Sequence, residues 1–162
     1  MTDTSRDTPD VIIFPPLIPL SVLIVGVILH FFMLLGLLAH VPFLGRIVVG
    51  AIAFIAGIGM VIGANRIFLR IGTNARPSQP TLALATIGMF TWTRNPMYVG
   101  GSLALLGIAI GFALDWVILL LVVSLPVVHY GIVLREERYL EGKFGNEYRR
   151  YKTKIPRYWW RF

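Results

Sequence analysis

The stretch that decides the fold is Trp116 to Gly145, WVILLLVVSLPVVHYGIVLREERYLEGKFG. Its first nineteen residues, Trp116 to Leu134, carry no charged side chain. Arg135, Glu136, Glu137 and Arg138 then arrive together, with no break signal before Gly142. An apolar run of about 20 residues is what a bilayer-spanning helix needs. Charge at the edge of hydrocarbon is costly unless it is hydrated, paired or bound to a ligand. At least one of the two glutamates is therefore expected to face the interior of a bundle, where the helix meets water.

The rest of the chain repeats the pattern. Of 162 residues, 56% are hydrophobic and 14% charged, with a mean hydropathy of +0.74, whereas a soluble domain carries about a quarter charged residues. The reading is an all-α integral membrane bundle of four transmembrane helices, one domain over 17–162, preceded by a flexible cytoplasmic tail at 1–16. The expected spans are 17–39, 47–70, 97–114 and 116–138. Pro15, Pro16 and Pro19 mark the first start. Gly59 with Gly63, and Gly107 with Gly111, stand at the small-xxx-small spacing that brings helices together. Pro126 should kink the last span, because it removes a backbone donor. The connection at 71–96 is polar yet contains Leu82, Leu84, Ile87 and Phe90, so it is expected to fold back on the bundle. Asp3, Asp7 and Asp10 outnumber Arg6 at the start, which makes a poor signal peptide.

Charge sets the orientation. With four spans, fourteen of the fifteen basic residues fall on one side and Arg46 alone on the other, which makes both termini cytoplasmic at the inner membrane. The amphipathic segment 144–162 mixes Phe144, Tyr148, Tyr151, Trp159 and Trp160 with six Lys and Arg. It reads as an anchor on the anionic inner leaflet, and nucleic acid is not an expected partner. There is no cysteine, which excludes disulfides, thiolate metal sites and thiol nucleophiles. His30 and His129 lie inside spans, but no second ligand sits at metal-binding spacing, so no metal site is expected. Packing or pocket lining suits them better, with His129 seven residues before Glu136 and two turns up the same face.

Two motifs occur in order. The first is RNPMYVGG at Arg94–Gly101; about forty residues later comes REERYLEGKFGNEYRRYKTKIPRYWW at Arg135–Trp160. From about Gly72 to Tyr158 the chain resembles the isoprenylcysteine carboxyl methyltransferases and their phospholipid methyltransferase relatives. The resemblance implies a membrane transferase that uses S-adenosylmethionine at the cytoplasmic face. It implies a cofactor site made of Leu82, Ala83, Leu84, Ala85, Phe90, Asn95, Pro96, Met97, Tyr98 and Glu136, to which Glu137 and Tyr148 are added. Glu136, Asn95 and Arg135 are the candidate catalytic residues. Two departures bear on the acceptor. Asn95 stands where the eukaryotic carboxyl methyltransferases have histidine, and an amide cannot titrate near neutrality. Ile132 stands where they have an arginine for the substrate carboxylate. An amine, thiol or other small lipophilic acceptor is at least as well matched as a prenylcysteine. Two other readings remain open: a membrane sterol or enone reductase, which shares a similar C-terminal pattern and would need NADPH, and a small membrane protein without catalysis.

Overall fold

The computed structural model describes residues 7–9, 11–74 and 79–158. Every regular element among them is helical. In chain order these are α1 (Leu17–Phe32), α2 (Phe43–Ile71), a 3₁₀ turn at Gly88–Thr91, α3 (Pro96–Gly111) and α4 (Asp115–Val128). A π turn at His129–Val133 leads into α5 (Leu134–Phe144), followed by α6 (Asn146–Lys154). Helix α2 packs along α3, α1 along α4, and α3 joins the two pairs.

Span lengths depart from expectation. Helix α1 stops at Phe32 rather than Ala39, and its 16 residues rise about 24 Å. Residues 33–42 then turn through Gly36, whose φ of +71° suits glycine. The Leu37 and Leu38 amides leave the helix ladder and donate to the Asp115 carboxylate at 2.9 and 3.2 Å. That explains a carboxylate buried in an apolar hairpin: Asp115 is 3% exposed and satisfies amides that lipid could not. Helix α2 is longer than expected, beginning after Pro42 and ending at Gly72 in the left-handed region, with φ +69°. The Thr73 amide closes onto the Phe68 carbonyl at 3.0 Å, the bond pattern of a Schellman ending. Helix α3 ends at Gly111, three residues early.

From Asp115 the helix runs unbroken to Phe144. Pro126 is accommodated by the π turn that follows it. The His129 amide is shared between the Leu125 and Pro126 carbonyls, and the chain takes up one extra residue before α5. This extended helix and α2 are long and apolar enough to cross a membrane. Their outer faces expose large apolar side chains such as Ile52, Ile55, Val122 and Val123, as a lipid-facing surface does.

The helix interface uses glycines, though not all of those expected. Gly59 has nothing within 4 Å of a Cβ position, and Gly63 meets only Met89. The close approach is made instead by Gly50 and Gly57, seven residues apart, against Gly100, Ala104 and Gly107. A Cβ on Gly50 would stand 2.6 Å from the Gly107 carbonyl oxygen, and one on Gly57 2.5 Å from that of Gly100. Two turns separate successive contacts on each helix, which keeps the two backbones together over a long stretch.

The connection 71–96 does fold back, chiefly through its backbone. The Thr73 hydroxyl accepts from the Leu82 and Ala83 amides, and Phe90 is buried against Phe68 with ring centroids 5.0 Å apart. Leu82 and Ile87 stay exposed. Part of the N-terminal segment is also docked. The Ile12 amide donates to the Gly131 carbonyl, and Asp7 pairs with Lys143 and accepts from the Tyr139 hydroxyl. Asp7 and Ile12 of the N-terminal segment thus contact the bundle; Trp159 and Trp160 lie outside the described residues.

The glycine assignment can be checked by thermal unfolding in mild detergent. Gly57→Leu forces side-chain volume into backbone and is expected to cost about 2 kcal/mol or more. Gly59→Leu faces open space and is expected to change stability by less than about 0.5 kcal/mol. Equal losses in the two variants would contradict the interface described.

Candidate active site

Where the extended helix leaves the apolar layer, a cavity of about 480 Å³ opens, within the size range of small-ligand sites. Five parts of the chain wall it: the segment before α1, the end of α2, the folded-back connection, the start of α3, and α5 with α6. Pro96 opens α3 at its first turn, where a missing amide hydrogen costs nothing. It delivers Met97 and Tyr98 to the cavity wall beside Asn95.

The adjacent glutamates separate because neighbouring helix positions face different directions. Glu136 turns toward α3 and accepts a hydrogen bond from the Tyr98 hydroxyl at 2.7 Å. Among the described residues no salt bridge joins it. Glu137 turns toward the C-terminal segment and is enclosed by two guanidiniums. Arg157 donates to both its oxygens at 2.9 and 2.8 Å, and Arg94 lies 3.2 Å away. The Glu137 and Arg94 side chains are only 11% and 10% exposed. The bidentate bond holds the Arg157 guanidinium above its already high range.

The same region is fastened through the backbone. The Arg94 amide donates to the Pro156 carbonyl at 3.0 Å. The Thr93 hydroxyl and the Asn95 side-chain amide both donate to the Arg157 carbonyl, at 2.9 and 3.1 Å. These bonds draw α6 over the cavity. Tyr148 is 1% exposed, and the Tyr151 hydroxyl donates to the Phe90 carbonyl at 2.7 Å. Burial raises both phenols above the usual tyrosine range.

Of the residues expected at the site, Ala83, Leu84, Ala85, Phe90, Asn95, Pro96, Met97, Tyr98, Glu136, Glu137 and Tyr148 share this cavity. Leu82 is 64% exposed and outside the wall; its amide is held by Thr73. Arg135, one helix position before Glu136, is also outside the wall. Asn95 spends its amide on the Arg157 carbonyl. His129 does not line the cavity. The π turn adds a residue to the winding, so seven residues no longer bring it over Glu136. Its Nδ1 instead meets the Tyr158 hydroxyl at 2.8 Å. His30 packs edge-on against Phe31. Ile132 is fully buried in the core with Ile18, Val22 and Val117, away from the cavity.

Several wall residues escaped the sequence reading: Asn65 and Phe68 on α2, Arg94, Tyr139, and Phe14 to Pro16 before α1. Asn65 carried a usable signal, as a polar residue near the end of an apolar span. Phe14 to Pro16 carried none, since they read only as a helix start.

Glu137→Ala strands two guanidiniums, one of them buried, and is expected to cost about 3 kcal/mol or more. Arg157→Ala leaves Glu137 its Arg94 partner and should cost clearly less. Chemical unfolding of both variants in detergent checks this ordering; the reverse order would contradict the clamp.

Comparison with known proteins agrees with the geometry. Residues 45–147 match the family model for phospholipid methyltransferase. An uncharacterised protein of Haemophilus influenzae is 37% identical over 70 residues, covering 43% of this chain and 86% of that relative. No solved structure matches the chain. The family match spans most of the chain, from α2 through α5, and includes the first motif and the opening half of the second: the chain belongs to the phospholipid methyltransferase family of membrane proteins.

Proposed function

We propose that the protein transfers a methyl group from S-adenosylmethionine to the amine headgroup of a membrane lipid, at the cytoplasmic face of the inner membrane. The observation that carries this reading is the unbridged Glu136 carboxylate, held by Tyr98 in a cavity at the end of a membrane-length helix. Family membership favours methyl transfer over the reductase reading.

The residues present suit the cofactor. Its cationic groups match a carboxylate with no basic partner, and its adenine matches the rings of Phe68, Phe90, Tyr148 and Tyr151. The cavity volume suits a ligand of this size. Bound S-adenosylmethionine would supply an electrophilic methyl group and depart as a neutral thioether. The chain then has three tasks. The aromatic wall and α6 exclude water. Tyr98 and Asn95 fix the floor, so that donor and acceptor are aligned for direct displacement. Glu136 takes up the proton that an ammonium headgroup must lose before its nitrogen can attack.

The electrostatics argue against an anionic acceptor. The cavity's guanidinium, Arg94, is committed to Glu137, and Ile132 is in the core. Among the described wall residues Arg94 is paired with Glu137, whereas an amine would find Glu136. In this reading α1 and α3 add two crossings to those of α2 and the α4–α5 helix, both termini are cytoplasmic, and the cavity lies in the cytosolic leaflet; the excess of Lys and Arg at that end supports it. The basic face of α6 then lies against anionic lipid.

Calorimetry on the purified protein tests the cofactor. Micromolar affinity for S-adenosylhomocysteine is expected, and binding of NADPH instead would overturn the reading. Glu136→Ala should abolish that binding in a protein that still folds and inserts, and unchanged affinity would remove Glu136 from the site. Truncation after Gly145, which removes Tyr148 and Tyr151, should also lose the cofactor; an intact isotherm would leave the tail as an anchor alone.

A further inference from the structure

Between Arg46 and Asn65, α2 contains no polar side chain. Asn65 then appears on the cavity wall, exposed, on the same helical face as Ile62 and Leu69, which are 45% and 72% exposed. Its amide makes no hydrogen bond among the described residues. Three other polar side chains of the wall are engaged: Asn74 with the Pro80 carbonyl, Asn95 with that of Arg157, and Tyr98 with Glu136. An amide offers two donors and an acceptor.

The packing explains what could reach it. Helix α1 packs on α4 and lightly on α3, with no packed interface to α2. Phe14 to Pro16, just before α1, and Asn65 and Phe68 on α2 all line the cavity, and no packed helix interface closes the space between α1 and α2. Asn65 stands at the rim of that gap, with apolar side chains above and below it. A lipid passing sideways through the gap would keep its tails on Ile62 and Leu69 and bring its polar oxygens to Asn65.

We propose that Asn65 binds the acceptor lipid, donating its amide hydrogens to the phosphoryl or ester oxygens next to the headgroup. This contact contributes to how tightly the lipid is held at the edge of the cavity, so its loss is read in KM. The inference rests on the methyl-transfer reading above and adds to it a residue that selects the substrate.

Vesicles of phosphatidylethanolamine and phosphatidylglycerol provide the probe. Asn65→Leu is expected to raise the KM for phosphatidylethanolamine about tenfold, the scale of one lost hydrogen bond in a binding site. The kcat and the affinity for S-adenosylhomocysteine should stay within twofold. Asn65→Gln should recover part of the loss. An unchanged KM overturns the assignment and leaves methyl transfer standing; a loss of cofactor affinity instead assigns Asn65 to the donor and also overturns it. A second readout does not depend on turnover. Native mass spectrometry in mild detergent should find phosphatidylethanolamine retained by the wild-type protein and lost from Asn65→Leu, and equal retention overturns the proposal. Absence of S-adenosylhomocysteine binding by the wild type, with lipid retention still dependent on Asn65, would sink the methyl-transfer reading alone.

Discussion

The site depends on one carboxylate on the cavity wall that is taken up by two guanidiniums. Glu137 gathers Arg94 from the entrance of α3 and Arg157 from the end of the described chain. Three segments far apart in sequence meet at its two oxygens. An ion pair removed from water is a poor source of net stability. Its value here is geometric, because a charge buried with two partners tolerates few alternative arrangements. With Glu137 occupied in this way, the neighbouring Glu136 is left facing the cavity, with only a tyrosine hydroxyl in contact. The pair thus divides into a structural carboxylate and an available one, and the division follows from the hundred degrees or so between successive helical positions.

The fold was legible wherever hydropathy and end signals agree. The long apolar run ending in Arg135–Arg138 announced a helix that leaves the hydrocarbon with its carboxylates facing inward, and α5 does so. Pro15 and Pro16 stand just before α1, where a helix start was expected. The first span misled because Met33 to Ala39 is as apolar as a helix. Its backbone is instead satisfied by Asp115, from a hairpin 77 and 78 residues away, a contact no local window contains. The glycines misled for a similar reason. Two spacings of four stood out in the sequence, yet the spacing of seven carried by Gly50 and Gly57 matches what faces them on α3.

At the site, local motifs gave the floor and missed the rim. Asn95 to Tyr98 and Glu136 are contiguous or paired in sequence and meet in space as the resemblance implied. Phe14 to Pro16 and Asn65 come from segments whose order in the chain says nothing about the cavity. His129 shows how a small irregularity defeats spacing arguments. Counting in steps of 3.6 placed it above Glu136, whereas the π turn after Pro126 moved it to Tyr158.

The unequal helices have a consequence for the surrounding bilayer. Two helices of 16 residues stand beside continuous helices of 29 and 30. The shorter pair rises about 24 Å, less than the ~30 Å of an ordinary hydrocarbon core. Lipids adapt to a short apolar surface by thinning next to it. The thinning falls along α1, one border of the gap that faces Asn65, so the membrane itself would be shallowest where a headgroup has to leave its plane.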